Sequence, residues 1–230
     1  MDKRSHPALA AVRVAFPSTV PVLTGYLVLG IAYGVLMQIK GYGVPWVLLM
    51  CCLAYCGSMQ FVAITLLTTA FDPLQALLMS LMVNARHLFY GVSMLGKYRG
   101  MGAAKLPLIY TLSDETFSIV SSVEPPEDVS RKDFYLAVSL LDYGYWAAGS
   151  VLGAVAGRFI TFDTTGLDFA LTGLFVVLFI EQVKNPQNRM SGVIGLACSA
   201  AALAVFGADN LVIPAMVLVL IVLLLGRKKL

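Results

Sequence analysis

The sequence predicts an all-α integral membrane protein, and three observations lead to this fold class. Hydrophobic residues make up 59% of the 230-residue chain and charged residues only 13%, whereas about a quarter of an ordinary globular protein is charged. The apolar residues are gathered into runs of about 20, the length that a helix needs to cross a hydrocarbon core roughly 30 Å thick. These runs lack the regular alternation of membrane-spanning strands, which argues against an outer-membrane barrel.

The apolar runs predict seven or eight transmembrane helices, and eight is the better count. They cover residues 17–38, 44–69, 73–95, 106–122, 134–157, 166–183, 190–206 and 211–226. The basic N-terminus leads into a long run without a cleavage site after it, so the first span is expected to be retained as an anchor. No long polar segment separates the runs, and residues 1–230 are therefore predicted to form a single polytopic membrane domain.

The basic residues predict orientation in the membrane, and no nucleic-acid partner, because most of them lie in short connections between spans. Eight spans with a cytoplasmic N-terminus place most of the basic residues inside, as the positive-inside rule requires. The misfit is the segment GKYRGMGAAK at 96–105, whose three basic residues then fall outside. If the run at 44–69 only dips into the bilayer and returns, this segment moves to the cytoplasmic side.

Two glycine-containing segments resemble each other across the middle of the chain. GYLVLGIAYG at 25–34 and GYWAAGSVLG at 144–153 share Gly, Tyr, Gly and Gly at matching spacing. This similarity predicts an internal duplication with halves 1–123 and 124–230, an arrangement frequent in secondary transporters. The four-residue spacing of the glycines also removes side chains from one helix face, which predicts close helix packing.

Several ionisable side chains lie deep inside predicted spans, where an unpaired charge costs roughly 2.5–3.5 kcal/mol. Arg86 and His87 lie in the middle of the third run; His87 shares a helix face with Asn84, while Arg86 points about 100° away. The acidic residues at depth are Asp114, Glu115, Asp142 and Glu181. Either some of these carboxylates are protonated or cations enter the site, and both options suit a transporter that exchanges its substrate for protons.

The second run is polar at its centre, where the sequence reads YCGSMQF at 55–61. The adjacent glycine and serine predict a broken helix near Gly57 and Ser58, with free backbone groups that could bind a ligand. The candidate substrate-binding residues are therefore Gly57, Ser58, Gln60, Asn84, Arg86 and His87. The four acidic residues at depth are the candidates for proton coupling.

Four segments in order resemble the AzlC family, the large subunit of bacterial branched-chain amino acid exporters. They are YCGSMQFVA at 55–63, NARHLFYG at 84–91, SDETF at 113–117 and GLDFALTGLFVVLFIEQ at 166–182; Cys56 stands where the family usually has alanine. The resemblance implies export of Leu, Ile, Val and sometimes Met across the bacterial inner membrane, driven by the proton motive force. It also implies a small AzlD-type membrane subunit as partner. No cofactor is expected.

Two other functions are compatible with parts of the sequence. An intramembrane hydrolase could use Ser58 or Cys56 as nucleophile and His87 as base, but the G-x-S-x-G elbow is missing. A scaffold subunit would leave transport to its small partner, and the buried carboxylates argue against that function. No metal site is predicted, because His87 has no second histidine at ligand spacing.

Overall fold

The computed structural model describes residues 7–70, 72–159, 173, 176, 179–180, 183–184, 186, 189–207 and 211–226. Within these residues every regular element is helical, which confirms the predicted all-α class. The α-helices are α1 (Pro7–Ile39), α2 (Val44–Leu53), α3 (Gly57–Thr68), α4 (Pro73–Val83), α5 (Ala85–Met94), α6 (Lys105–Tyr110), α7 (Asp114–Ser122), α8 (Arg131–Gly157), α9 (Arg189–Phe206) and α10 (Val212–Gly226). They form two compact units: one holds α1–α3 and α5–α8, and the other holds most of α4 with α9 and α10.

Helices α1 and α8 form the core of the first unit, where they pack side by side and run in the same direction. The Thr19 hydroxyl lies 3.1 Å from the Tyr145 hydroxyl, and a Cβ on Gly157 would lie 2.9 Å from Gln38 Cβ. Between these points a Cβ on Gly34 would overlap the backbone of α8. The predicted close packing of the glycine faces is therefore confirmed, while the duplication into halves stays a prediction.

Helices α2 and α3 fold back on each other as a hairpin. A straight helix over residues 44–69 would separate its ends by about 39 Å. Instead, the Tyr42 hydroxyl just before α2 donates a 2.8 Å hydrogen bond to the carbonyl of Leu67 near the end of α3. This run therefore enters and leaves at the same end of the unit, which agrees with the alternative that it only dips into the bilayer and not with a full crossing.

The run at 106–122 also folds back, as its contacts with α8 show. The rings of Tyr98 and Tyr135 lie 6.1 Å apart near the start of α8, and those of Tyr110 and Tyr143 lie 6.5 Å apart near its middle. The chain then returns through α7 to Glu124, which forms a 3.3 Å ion pair with the first residue of α8. A single span over residues 106–122 is therefore wrong.

Lys97 joins the two ends of the α6–α7 segment. Its ammonium donates hydrogen bonds of 2.8 and 3.0 Å to the carbonyls of Val120 and Ser121, at the end of α7, and pairs with Glu124 at 3.1 Å. The hydrogen bond from Lys97 lowers the pKa of the exposed Glu124 carboxyl, and the charges of Lys97 and Arg131 lower it further. The basic segment at 96–105 thus lies at the same end of the unit as the connection between α7 and α8.

The segment that contains α6 and α7 forms a second hairpin. It and the α2–α3 hairpin approach each other from opposite ends of the unit. The open end of α2–α3 adjoins the end of α1, because the Tyr42 N–H donates to the Met37 carbonyl at 2.9 Å. Its tip reaches the middle of α8, where the Tyr143 hydroxyl donates to the Cys51 carbonyl at 3.3 Å. The α6–α7 tip comes from the other end to the same level, and the Tyr110 hydroxyl donates to the Cys52 carbonyl. Helix breaks therefore meet near mid-depth.

This topology resolves the misfit in the charge distribution of the described residues. Basic side chains at the end where α8 begins are Arg13, Lys97, Arg99, Lys105, Arg131 and Lys132, and those at the opposite end of the unit are Lys40 and Arg158. The positive-inside rule then predicts that α8 begins on the cytoplasmic side.

Cysteine labelling is expected to report this topology directly. In a background without the natural cysteines, an impermeant maleimide added to intact cells should label Arg158→Cys, but should label Arg99→Cys and Arg131→Cys only after permeabilisation. These three positions are exposed. Labelling of Arg99→Cys and Arg131→Cys from opposite sides would mean that residues 106–122 cross the membrane.

The second unit contains the last helices of the chain. α9 and α10 pack together, and the turn after α9 contains Gly207 with a φ of 73°, a conformation that favours glycine. Among the described residues, α1 and α9 are the helices both long and apolar enough to cross a membrane by themselves. The predicted total of seven or eight spans counted the runs at 44–69 and 106–122, which turn back in the described structure, so that total is not confirmed.

Candidate functional site

The break between α2 and α3 is held open by Gln60. This side chain is fully buried, and its amide nitrogen donates to the carbonyls of Met50 and Ala54 at 3.1 and 3.0 Å. Its oxygen accepts a 2.7 Å hydrogen bond from Trp146 Nε1. Gln60 therefore gives a second donor to two carbonyls at the end of α2, which also accept from the backbone N–H groups of Ala54 and Cys56. The predicted broken helix is confirmed, and the geometry gives Gln60 a positioning role beside the break.

Helix α3 begins at Gly57, which lies against the ring of Trp146. A Cβ on Gly57 would lie 3.0 Å from Trp146 Cη2, so this position requires a small residue. Cys56 provides no side-chain cap, and the first backbone N–H groups of α3 lack intrahelical partners. Gly57 and Ser58 thus present the positive end of a half-helix at the tip of the hairpin.

Helix α7 begins in the same way at the tip of the second hairpin. The Ser113 hydroxyl accepts a 3.2 Å hydrogen bond from the Thr116 N–H and caps the helix. Asp114 and Glu115 follow in the first turn, where the helix dipole favours carboxylates. The SDETF motif therefore combines a helix start with two acidic side chains.

Arg86 connects the first turns of three helices. It lies in the first turn of α5, directly after the interruption at Asn84, whose φ and ψ are −92° and 2°. Its Nη1 forms a 2.8 Å ion pair with Asp114 Oδ2, and its Nη2 donates to Ser58 Oγ at 2.8 Å. We call Ser58, Arg86 and Asp114 the Arg86 cluster.

The Arg86 cluster keeps capacity for a ligand. The Arg86 and Asp114 side chains are 38% and 36% exposed, so neither is sealed inside the protein. Arg86 Nε and Asp114 Oδ1 are themselves shielded from solvent, and they have no hydrogen-bond partner within the part of the chain that the structure describes. An unused donor and an unused acceptor thus lie beside the amino ends of half-helices, where a zwitterion could bind once these side chains move.

A second polar group joins α1, α7 and α8. Asp142 is fully buried, and its Oδ2 accepts a 2.8 Å hydrogen bond from the Thr116 hydroxyl. Glu115 Oε2 lies 2.5 Å from the Tyr26 hydroxyl, which is also 2.9 Å from Ser113 Oγ. Tyr26, Ser113 and Thr116 were not predicted as site residues. The signal for Tyr26 was its place in the repeated Gly-Tyr motif.

His87 takes no part in these contacts. His87 lines a largely apolar cavity of about 420 Å³ together with residues of α5 and α6, and its Nδ1 has no partner among the described residues. No hydrogen bond joins Ser58 to His87 in the described structure. Asn84 lies at the interruption before α5, and Glu181 lies outside the described residues.

Comparison with known proteins identifies the family of this site. Residues 21–160 match the family model described as AzlC protein. The chain belongs to the AzlC family. These matched residues include both hairpins, the Arg86 cluster and the contacts of Asp142, so the family model covers the whole of the described site.

Full-length relatives support this membership. This chain is 46% identical over 230 residues to the branched-chain amino acid transport protein AzlC of Bacillus subtilis, covering 100% of this chain and 90% of the relative. Uncharacterized membrane proteins of Helicobacter pylori and Haemophilus influenzae are 39% and 35% identical, with 98% and 100% of this chain covered and 99% and 94% of theirs. These names support the predicted membrane localisation. No solved structure matches the chain.

Proposed function

We propose that this AzlC protein is a secondary transporter that exports Leu, Ile, Val and Met from the bacterial cytoplasm by proton antiport. In this proposal it is the large subunit of an inner-membrane permease whose other subunit is a small AzlD-type protein. One observation carries the proposal: Arg86 joins the first turns of α3, α5 and α7 where two hairpins from opposite ends meet. Broken helices whose amino ends face a common point are typical of amino-acid binding at mid-membrane.

The Arg86 cluster suits the charged end of an amino acid. The substrate carboxylate would accept hydrogen bonds from Arg86 and from the backbone N–H groups of Gly57 and Ser58. The ammonium would bind Asp114, whose Oδ1 is unused among the described contacts. Charge-assisted hydrogen bonds contribute about 1.5–3 kcal/mol each, so both ends of the zwitterion are needed for tight binding.

The aliphatic side chain would be recognised less strictly than the charged groups. A single methylene in an apolar pocket discriminates by roughly 1–3 kcal/mol. Such a pocket would accept several branched or unbranched aliphatic side chains with similar affinity. This is why we propose a group of substrates and not one amino acid.

Proton coupling is assigned to the buried carboxylates. Asp142 on α8 is connected to the Arg86 cluster through α7, which carries both Asp114 and Thr116. Asp142 is fully buried and has no cationic partner among the described residues, so its ionised form is costly at this depth. Protonation of Asp142 and Glu115 would alternate with occupation of the substrate site. Glu181 keeps its predicted coupling role as a proposal.

Transport in vesicles tests this function. Vesicles that contain the chain with its small subunit should release labelled Leu, Ile, Val and Met faster when a pH gradient is imposed, and the chain alone should release less. Vesicles from cells that lack both subunits are the control. Absent or gradient-independent amino-acid movement in the two-subunit vesicles would refute the proposal, and full activity of the small subunit alone would favour the scaffold function.

The hydrolase alternative gains no support from the site. A serine nucleophile needs a base within hydrogen-bond reach. The Ser58 hydroxyl instead accepts from the Arg86 guanidinium at 2.8 Å, and it makes no hydrogen bond to His87 in the described residues. The geometry therefore favours binding over covalent chemistry at Ser58.

A further inference from the structure

We propose that the hydroxyls of Tyr26, Ser113 and Thr116 conduct a proton between Glu115 and Asp142. This inference rests on the proposed proton-coupled transport and adds a path to it. Two carboxylates on different helices are joined by a continuous series of hydrogen-bonded hydroxyls, which we call the hydroxyl chain.

The distances along the hydroxyl chain are all within hydrogen-bond range. Glu115 Oε2 is 2.5 Å from the Tyr26 hydroxyl, which is 2.9 Å from Ser113 Oγ. The Ser113 hydroxyl donates to Thr116 Oγ1 at 3.1 Å, and the Thr116 hydroxyl donates to Asp142 Oδ2 at 2.8 Å. No gap in this series requires a water molecule to close it.

Burial explains why Asp142 needs such a path. Asp142 and Thr116 are fully buried, and Ser113 and Tyr26 are 9% and 7% exposed. Glu115 is only partly buried, and it begins the chain at the helix tip where the two hairpins meet. Asp142 therefore reaches the accessible part of the site through hydroxyl groups and not by direct contact with water.

The hydroxyl chain can transfer one proton without leaving a charge on any of its hydroxyl groups. With Glu115 protonated and Asp142 ionised, Glu115 gives its proton to Tyr26, Tyr26 to Ser113, Ser113 to Thr116, and Thr116 to Asp142. Each O–H bond that breaks is replaced by a new one on the same oxygen, so one proton has moved and every hydroxyl is neutral. After the transfer, donor and acceptor have changed places in each of the four hydrogen bonds.

Tyr26 carries the clearest sign of this reversal. Its hydroxyl has one proton but contacts two acceptors, Ser113 Oγ and Glu115 Oε2, so it can donate to only one at a time. When Tyr26 donates to Ser113, the hydrogen bonds of the hydroxyl chain run toward Asp142. When Tyr26 donates to Glu115, they run toward Glu115. Among the described residues, the titratable groups facing Asp142 are Glu115 on α7 and Tyr55 in the α2–α3 break.

Conservative variants separate conduction from structural hydrogen bonding. Thr116→Val and Tyr26→Phe remove one hydroxyl each at nearly constant volume, whereas Ser113→Ala would also remove the cap of α7. Thr116→Ser restores the chain. Tyr33→Phe is a matched control, because Tyr33 is a fully buried tyrosine of the same helix whose hydroxyl has no partner among the described residues.

The measurement compares two modes of leucine movement in proteoliposomes containing the full chain with its small subunit. Gradient-driven leucine flux needs proton transfer, whereas exchange of labelled for unlabelled leucine needs only substrate binding and conformational change. We expect Thr116→Val and Tyr26→Phe to lower gradient-driven flux at least about tenfold, as expected for loss of a positioned proton carrier, while exchange is retained. Thr116→Ser and Tyr33→Phe should match the wild type in both modes.

Two results would overturn the hydroxyl chain while leaving the transport function in place. One is wild-type gradient-driven flux in Thr116→Val and Tyr26→Phe. The other is an equal loss of flux and exchange, which would make these hydroxyls structural. By contrast, a wild type whose leucine flux ignores the pH gradient would refute the proposed antiport itself.

Discussion

Replacing Arg86 with glutamine is expected to raise the half-saturating leucine concentration for transport by about 10- to 100-fold, because one or two charge-assisted hydrogen bonds to the substrate carboxylate are lost. The variant also leaves Asp114 without its 2.8 Å ion-pair partner. Initial rates of labelled leucine exchange over a range of concentrations measure the effect.

Two further variants separate recognition from general loss of charge. Arg86→Lys keeps the positive charge but not the planar fork, so it should recover only part of the affinity. Arg99→Gln removes an arginine from an exposed position of the basic segment and should leave the half-saturating concentration unchanged. Equal kinetics in Arg86→Gln and the wild type would remove Arg86 from the substrate site.

Replacing Gly34 with alanine is expected to destabilise the whole first unit. An added Cβ would overlap the backbone of Ser150 and Ala154, and backbone atoms cannot move aside as a flexible side chain can. Overpacking of this kind costs about 1–3 kcal/mol or more, which lowers Tm by roughly 2–12 °C in a chain of this size. Thermal unfolding of the purified protein in detergent measures the change.

Gly25→Ala is the matched control on the same helix. Nothing lies within 4 Å of a Cβ built at this exposed position. Because alanine favours helix over glycine by up to about 1 kcal/mol, Tm should stay the same or rise slightly. A Gly34→Ala protein as stable as Gly25→Ala would contradict the close packing of α1 on α8.

Composition and motif position predicted the class of fold and the location of the helix interruption. The helical class follows from apolar runs that leave backbone groups no partner but their own helix. The break near Gly57 follows from a glycine and serine in an apolar run, and α3 begins at Gly57. The close packing of Gly34 on α8 follows from four-residue glycine spacing.

Hydropathy could not predict that residues 44–69 and 106–122 turn back. A hairpin and a span bury the same apolar residues, and a run of 26 residues is long enough for either. The information lies in contacts between distant residues, such as Tyr42 with Leu67 and Lys97 with Val120. The basic segment at 96–105 was the one local signal, because charge pattern depends on topology.

The residues of the site could also be predicted only in part from the sequence. Arg86 and Asp114 were predicted from the cost of burying charge, and the structure brings them together at 2.8 Å. Tyr26 and Thr116 carry no charge, so the cost of burying charge did not mark them, although both stand in segments that the sequence analysis singled out. Gln60 was predicted to bind the substrate because it is polar at depth; its amide bonds to Met50, Ala54 and Trp146, and its role in substrate binding stays a prediction.

Equilibrium binding of labelled leucine to purified wild type and Arg86→Gln tests the central claim most directly, namely that the Arg86 cluster binds the amino acid. The account predicts saturable binding to the wild type, competition by unlabelled leucine but not by leucinol, which lacks the carboxylate, and at least tenfold weaker binding to a folded Arg86→Gln protein, corresponding to about 1.4 kcal/mol. Equal affinity of both proteins, or competition by leucinol as strong as by leucine, would contradict it.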